Sequence, residues 1–259
     1  MSRQPRGLHC RRRSIRKRPG DRKAGRQRLE DSLQRARELA ARYPQDARFH
    51  WACSEASEQL GDWFFNYSTD LDSVELHYHE YRDRMSKVIE LVPNEPQYQM
   101  DYAAVFERLG NLHMRRKQYP EAAAAYEEFL RINIPFGEAA PDNAEIKFEL
   151  SIAWVKVGQV SLASGDLDRA RVAWSESVNR CRSLAQTAPT NARVYRQLNL
   201  SLKGMATVHR QSSEFEQERQ CYEESMEFLN AFEKATGSSQ FRSTVAMLKE
   251  QVDRSESAH

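Results

Sequence analysis

The sequence predicts an all-α solenoid in which two-helix hairpins stack one after another. Ten glycines and nine prolines in 259 residues leave few turns, and both residue types are disfavoured inside helices. A second observation is a repeated marker, a proline followed by small or polar residues. It occurs at Pro44, Pro93, Pro141 and Pro189, at spacings of 49, 48 and 48 residues. A fixed period of this length is typical of repeat architectures, whose units bury their apolar faces against one another.

The third observation is that apolar residues within a unit follow helical spacing. In the unit that begins at Pro141, they recur every three or four residues from Ile146 to Val160 and again from Ala170 to Leu184. The letters "ASGDLD" at 163–168 separate the two stripes and predict a tight turn. Aromatic residues of the second stripes keep the same period, at Tyr78, Tyr126, Trp174 and Tyr222.

Taken in order, the chain divides into seven segments. Each proline marker also predicts a helix start, because proline ends the preceding element and Asp or Asn caps the next one. In the segment at 93–140 we expect Pro135 and Gly137 to end the second helix early. The segments are a basic, disordered arm (1–25), a half-repeat helix (26–43), four repeats (44–92, 93–140, 141–188 and 189–237), and a capping helix with its tail (238–259).

The residues that recur at this period resemble the tetratricopeptide repeat (TPR). In that family a bulky residue and Leu-Gly mark the first helix, and Ala with an aromatic marks the second. The matching residues are Phe106, Leu109, Gly110, Ala122 and Tyr126 in one repeat, and Trp154, Val157, Gly158, Ala170 and Trp174 in the next. The resemblance covers roughly residues 26–236 and implies a right-handed α-solenoid of TPR-like hairpins that binds proteins on its concave face.

Two departures from the family pattern qualify the resemblance. The period is 48 residues instead of 34, so each helix is seven residues longer, close to two full turns. Such long-helix arrays resemble those attached to bacterial Ser/Thr kinases. The last repeat has Ala206 and Glu218 where the family has Gly and Ala, which places its close helix contact in doubt.

Charge is divided unevenly along the chain. Residues 1–28 have a balance of +11 and the remainder a balance of −9. The arm could bind nucleic acid through phosphate contacts, but it has no interleaved aromatics for base stacking, and we favour a solubilising tail. The half-repeat at 26–43 suggests that the chain is part of a longer ancestor or that its start is misassigned.

No sequence pattern indicates an enzyme. The chain has no GxxxxGK(S/T), GxGxxG, HExxH or GxSxG motif, so we expect no catalysis, no cofactor and no kinase domain. His77 and His79 lie two residues apart on a helix and face different ways, so we interpret them as surface histidines instead of metal ligands. The four cysteines form no CxxC pair and predict reduced thiols in a cytoplasmic protein. No apolar run is long enough to cross a membrane.

The predicted function is therefore a non-catalytic scaffold for a protein or peptide partner, with bacterial signalling as the setting that the resemblance implies. The alternatives are a nucleic-acid-associated protein that uses its arm, and the detached regulatory part of a Ser/Thr kinase. Oligomeric state stays open. By the family pattern, the groove is acidic near Glu55 and Glu58 and basic further on. The candidate partner-binding residues are Arg108, Asn111, Arg115, Lys156, Gln159, Lys203 and Arg210.

Overall fold

A computed structural model describes residues 19–257, which form ten helices and no strand. Each helix packs against the next one along the chain, so the all-α solenoid is confirmed. The helices are α1 (Pro19–Arg42), α2 (Ala47–Tyr67), α3 (Leu71–Leu91), α4 (Pro96–Arg115), α5 (Tyr119–Ala139), α6 (Ala144–Ser164), α7 (Leu167–Thr187), α8 (Ala192–Gln211), α9 (Phe215–Thr236) and α10 (Arg242–Ser257).

The helices form two layers. We call the surface formed by α2, α4, α6 and α8 the first-helix face, and the surface formed by α1, α3, α5, α7 and α9 the second-helix face. α2 pairs with α3, α4 with α5, α6 with α7, and α8 with α9. α10 packs on α9 and buries Phe241, Leu248 and Val252, as expected of a capping helix.

Side-chain caps begin five of the ten described helices. Asp46, Asn143 and Asn191 each accept a hydrogen bond from a backbone N–H of the helix that follows, as the proline markers predict. At Pro93 the same signal works differently, because Glu95 makes no side-chain cap bond and Pro96 occupies the first turn of α4.

The turns inside the last three hairpins share one backbone conformation. Lys117, Gly165 and Ser213 lie 48 residues apart and have φ angles of 59°, 83° and 59°. This left-handed region favours glycine, so two of the three turns carry a side chain at an unfavourable φ. The repetition shows that the turn geometry, and not the residue, follows the period.

The aromatic column forms the centre of each hairpin. The side chains of Tyr78, Tyr126 and Trp174 are 1% exposed. Each ring lies against a glycine of the preceding helix, and for Gly158 an added Cβ would be 2.7 Å from the Trp174 ring. Gly204 in α8 faces the same ring, and a Cβ added there would be 2.4 Å from it. Trp174 is thus held between two helices that both lack a side chain at the contact.

Three expectations need correction. α1 begins at Pro19, so the helix extends seven residues into the segment expected to be an arm; residues 1–18 of that arm lie outside the described residues. α5 continues through Pro135 to Ala139, because a proline four residues from a helix end removes only one hydrogen bond. Gly137 lies where an added Cβ would be 2.4 Å from Leu150, so it serves packing against α6 instead of ending the helix.

Candidate functional site

The first-helix face is held together by polar contacts between successive first helices. Arg108 of α4 shows this most clearly, with a side chain only 12% exposed. Its Nη2 donates to Glu58 Oε1 of α2 at 2.9 Å, and its Nε lies 3.0 Å from Asp62 Oδ1 without the geometry of a hydrogen bond. Glu107 approaches Nη1 at 3.2 Å. The three carboxylates outweigh the burial of the guanidinium and raise the pKa of Arg108.

Asn111 and Lys156 make the equivalent connection between α4 and α6. Lys156 Nζ donates to Asn111 Oδ1 at 2.8 Å and lies 3.5 Å from Glu107 Oε1. The hydroxyl of the buried Tyr126 donates to the same Asn111 oxygen at 2.9 Å. The amide therefore joins the aromatic column to the polar face.

The remaining predicted residues differ in how far they are engaged. Arg115 donates to the backbone carbonyls of Phe65 and Ser68 and lies over the Phe65 ring. Arg210 binds Glu218, whose side chain is almost fully buried. Gln159 is half-buried and Lys203 is exposed. The structure thus places all seven predicted residues on first helices, and five of them are occupied by contacts within the chain.

Glu218 resolves the doubt over the last repeat. Glu218 stands at the position where the TPR pattern has Ala, and it is only 1% exposed. A buried carboxylate requires a partner, and Arg210 Nε donates to Glu218 Oε1 at 2.7 Å. Arg210 also reaches the hydroxyl of Tyr222 at 3.4 Å. An ion pair thus occupies the place of the small-residue contact between α8 and α9.

A cleft of about 1130 Å³ opens between the N-terminal halves of α2 and α4, beside the C-terminal half of α3. The rings of Trp51 and Tyr98 both line it and contact each other, with centroids 6.3 Å apart and planes at 45°. The indole of Trp51 donates to Asp101 Oδ2 at 2.9 Å, and the Tyr81 hydroxyl donates to the Asp101 backbone carbonyl at 2.9 Å. Further lining comes from Met85, Leu91, Val92, Glu55, Glu58, Glu95 and Gln97.

Sequence reasoning identified Glu55 and Glu58 but missed the aromatic walls of this cleft. Trp51 and Tyr98 each precede the Leu-Gly pair that marks the first helix of a TPR. The TPR pattern therefore predicts nothing about these two positions. One signal was present, since Trp51 and Asp101 are 50 residues apart, close to one repeat period. Residues at such a separation lie side by side on neighbouring hairpins.

The histidine pair differs from the expectation in one respect. His77 is buried at 8% exposure and stacks on Phe64, with ring centroids 5.5 Å apart, and burial lowers its pKa. His79 remains partly exposed beside Glu75. In residues 19–257, no cluster of three or more His, Cys, Asp or Glu side chains is arranged to hold a metal ion.

The three cysteine thiols of the described region are buried. Cys53, Cys181 and Cys221 form no disulfide within it. Burial raises the pKa of Cys181 to about 11 and that of Cys221 to about 12, so both are protonated at neutral pH. None of the ten helices is long and apolar enough to span a bilayer.

These features define a helical repeat protein, and comparison with solved structures agrees. The crystal structure of BtubC (BKLC) from P. vanneervenii matches with a TM-score of 0.59 at 16% identity, over 92% of this chain and 91% of that chain. The de novo designed helical repeat protein DHR64 matches at 14% identity and a TM-score of 0.32, over 92% and 97% of the two chains. Yeast Tom70 matches at 9% identity and a TM-score of 0.24, over 93% and 61%.

The likeness to BtubC shows a shared fold. No protein-family model matches the chain, and no curated protein matches it by sequence.

Proposed function

We propose that this chain is a non-catalytic protein-interaction scaffold that binds a segment of a partner protein on its first-helix face. The observation that carries the proposal is the cleft between α2 and α4, which is open, aromatic-walled and large enough for several side chains. Stacked hairpins present continuous surfaces of this kind, and extended segments commonly bind along them.

The proposal includes the finer family assignment. The close approach of Gly110 to Tyr126 and of Gly158 to Trp174 agrees with the small-residue contact of the TPR pattern. We interpret the repeats as a long-helix TPR variant with the seven predicted residues on its binding face. A setting in bacterial signalling follows from the resemblance alone.

Five of the seven predicted residues take one of two roles in this proposal. Arg108, Asn111 and Lys156 hold α2, α4 and α6 in register, which gives the face a fixed shape before a partner binds. Gln159 and Lys203 contact the partner further along the face.

Site-specific photo-cross-linking tests the proposal. A benzophenone amino acid replaces Gln97 or Lys203 on the first-helix face, and Leu76 or Val172 on the second-helix face as matched controls. Leu76 and Val172 are 63% and 58% exposed, so they report equally well on a partner. Irradiation is carried out in cells that express the chain natively.

The expected result is one polypeptide cross-linked from both Gln97 and Lys203 and from neither control. Cross-links only from Leu76 or Val172 would move binding to the other face and refute the proposal. Adducts whose added mass is removed by nuclease would refute a protein partner.

A further inference from the structure

The cleft between α2 and α4 has an excess of negative charge. Its lining contains five carboxylates and a single guanidinium, that of Arg48. Arg48 is engaged by Asp46, with its Nε and Nη2 at 3.0 and 2.6 Å from the two carboxylate oxygens. Arg108 neutralises Glu58 from the edge of the cleft. The carboxylates that remain are Glu55, Glu95 and Asp101.

Glu55 lies near two other carboxylates, those of Asp101 and Glu58. Loss of solvent and the negative charges of Asp101 and Glu58 raise its pKa. Within residues 19–257, no lysine, arginine or histidine forms an ion pair with Glu55. A cation beside Glu55 would remove this repulsion.

The aromatic walls favour the same kind of ligand. Trp51 and Tyr98 face the cleft beside Asp101, whose Oδ1 and Oδ2 accept hydrogen bonds from Gln97 Nε2 at 2.8 Å and Trp51 Nε1 at 2.9 Å. These bonds fix the carboxylate next to the rings. A positive group over an indole or phenol ring gains cation–π attraction, and a neighbouring carboxylate adds a charge-assisted hydrogen bond.

We propose that this cleft binds a basic segment of the partner protein, with an Arg or Lys side chain lying on Trp51 and Tyr98 and its cationic head at Glu55 and Asp101. This inference rests on the proposed function and specifies its partner. Apolar side chains beside the basic one contact Leu91 and Val92.

The charge is specific to this pair of hairpins. Residues one repeat apart occupy equivalent places, so the later hairpins show what normally stands at the Glu55 position. There the chain has Ala104, Ile152 and Leu200. The acid is thus a local departure from an apolar column.

The charge of the lining selects the partner segment. Acidic side chains outnumber basic ones around the cleft, so a basic segment is attracted and an acidic one is repelled.

Fluorescence anisotropy with defined peptides tests the inference on the full chain. The probe is a fluorescein-labelled ten-residue peptide with five Arg and Lys residues, and its controls carry Gln or Glu at those places. Glu55→Lys is compared with Glu227→Lys, an equal charge change at an exposed site on α9 of the second-helix face. Tyr98→Leu keeps apolar bulk and removes the ring.

We expect the basic peptide to bind and the Glu peptide not to bind. Glu55→Lys should weaken binding at least tenfold and Tyr98→Leu about fivefold, whereas Glu227→Lys should change it less than twofold. Equal losses in Glu55→Lys and Glu227→Lys would show attraction to overall charge only and overturn the proposal. Failure of the peptide to bind, with cross-links from Gln97 retained, would overturn the basic partner and leave the scaffold function standing.

A second copy of the chain is the other possible source of a basic segment. Sedimentation of the full chain at rising concentration distinguishes it. A dimer that Glu55→Lys dissociates would assign the cleft to the basic run of another copy and overturn the assignment to a partner protein.

Discussion

Replacing Arg108 with Met should loosen the contact between the first two complete hairpins. Methionine retains much of the side-chain volume but leaves Glu58, Asp62 and Glu107 without their common cation. Removing one partner of a fully buried ion pair costs about 3–5 kcal/mol. Here the three carboxylates are 21–36% exposed and water can solvate them, so we expect about 2 kcal/mol.

The second-helix face offers a matched control. Arg169 of α7 pairs with Glu127 of α5, and it too joins neighbouring hairpins. Its side chain is 48% exposed and that of Glu127 is 49% exposed. Exposed pairs of this kind contribute little, so Arg169→Met should cost at most about 0.5 kcal/mol.

Urea unfolding and hydrogen exchange measure the two effects. Unfolding gives the free energy of each variant, and exchange followed by mass spectrometry locates the loosened segment. For Arg108→Met we expect faster exchange in α2 and α4 and unchanged exchange in α8 and α9. Two results would contradict this reasoning: Arg108→Met lowering the free energy of unfolding no more than Arg169→Met, or exchange rising in helices other than α2 and α4. Arg108 would then not hold the two hairpins together, and its charge would be available to a ligand.

Three further outcomes follow from single residues. Gly204→Ala forces a Cβ against Trp174, and the protein should lose about 1–2 kcal/mol of stability even after the gain in helix propensity. The control Gly25→Ala has open space around it and should stabilise the protein by about 0.5 kcal/mol. Thermal unfolding compares the two variants. Gly165→Ala puts a side chain at φ 83° and should destabilise by about 1 kcal/mol; an unchanged urea midpoint would contradict this. Glu55→Gln should raise stability at neutral pH. The raised pKa means that ionised Glu55 opposes folding once the pH exceeds its ordinary pKa, and the gain should vanish below that pH.

The sequence was sufficient for the elements and for the centre of each hairpin. Each aromatic ring fits only against a residue without a side chain. This steric requirement appears in the sequence as an aromatic and a glycine at a fixed spacing. Tyr126 against Gly110 and Trp174 against Gly158 are examples. Gly204 was not foreseen, because it contacts Trp174 from the following hairpin and has no counterpart in the repeat pattern.

The sequence was not sufficient for residues whose role depends on three-dimensional neighbours. Pro135 is a helix breaker in isolation, but α5 packs against α6 and tolerates the loss of one bond. His77 was interpreted as a surface residue from its spacing to His79, but its side chain is buried against Phe64. The family pattern placed Arg108 in the basic part of the groove, although two of its three acidic partners lie on the preceding hairpin.

The repeat period itself contains the missing information about these partners. Polar bridges on the first-helix face join residues 50, 45 and 48 apart, as in Arg108–Glu58, Lys156–Asn111 and Arg193–Glu145. On the second-helix face the separations are 43, 42 and 42, in pairs such as Arg37–Glu80, Arg169–Glu127 and Arg182–Glu224.

On the second-helix face these separations agree within one residue, whereas on the first-helix face they spread over more than one helical turn. Applied to the sequence, a separation of 50 residues pairs Arg108 with Glu58 and Trp51 with Asp101, and so predicts that Arg108 is neutralised. At the same separation Glu55 meets Val105, a buried apolar residue, and none of the residues 45 to 50 places after Glu55 is basic. Glu55 therefore keeps an uncompensated charge for a partner to meet.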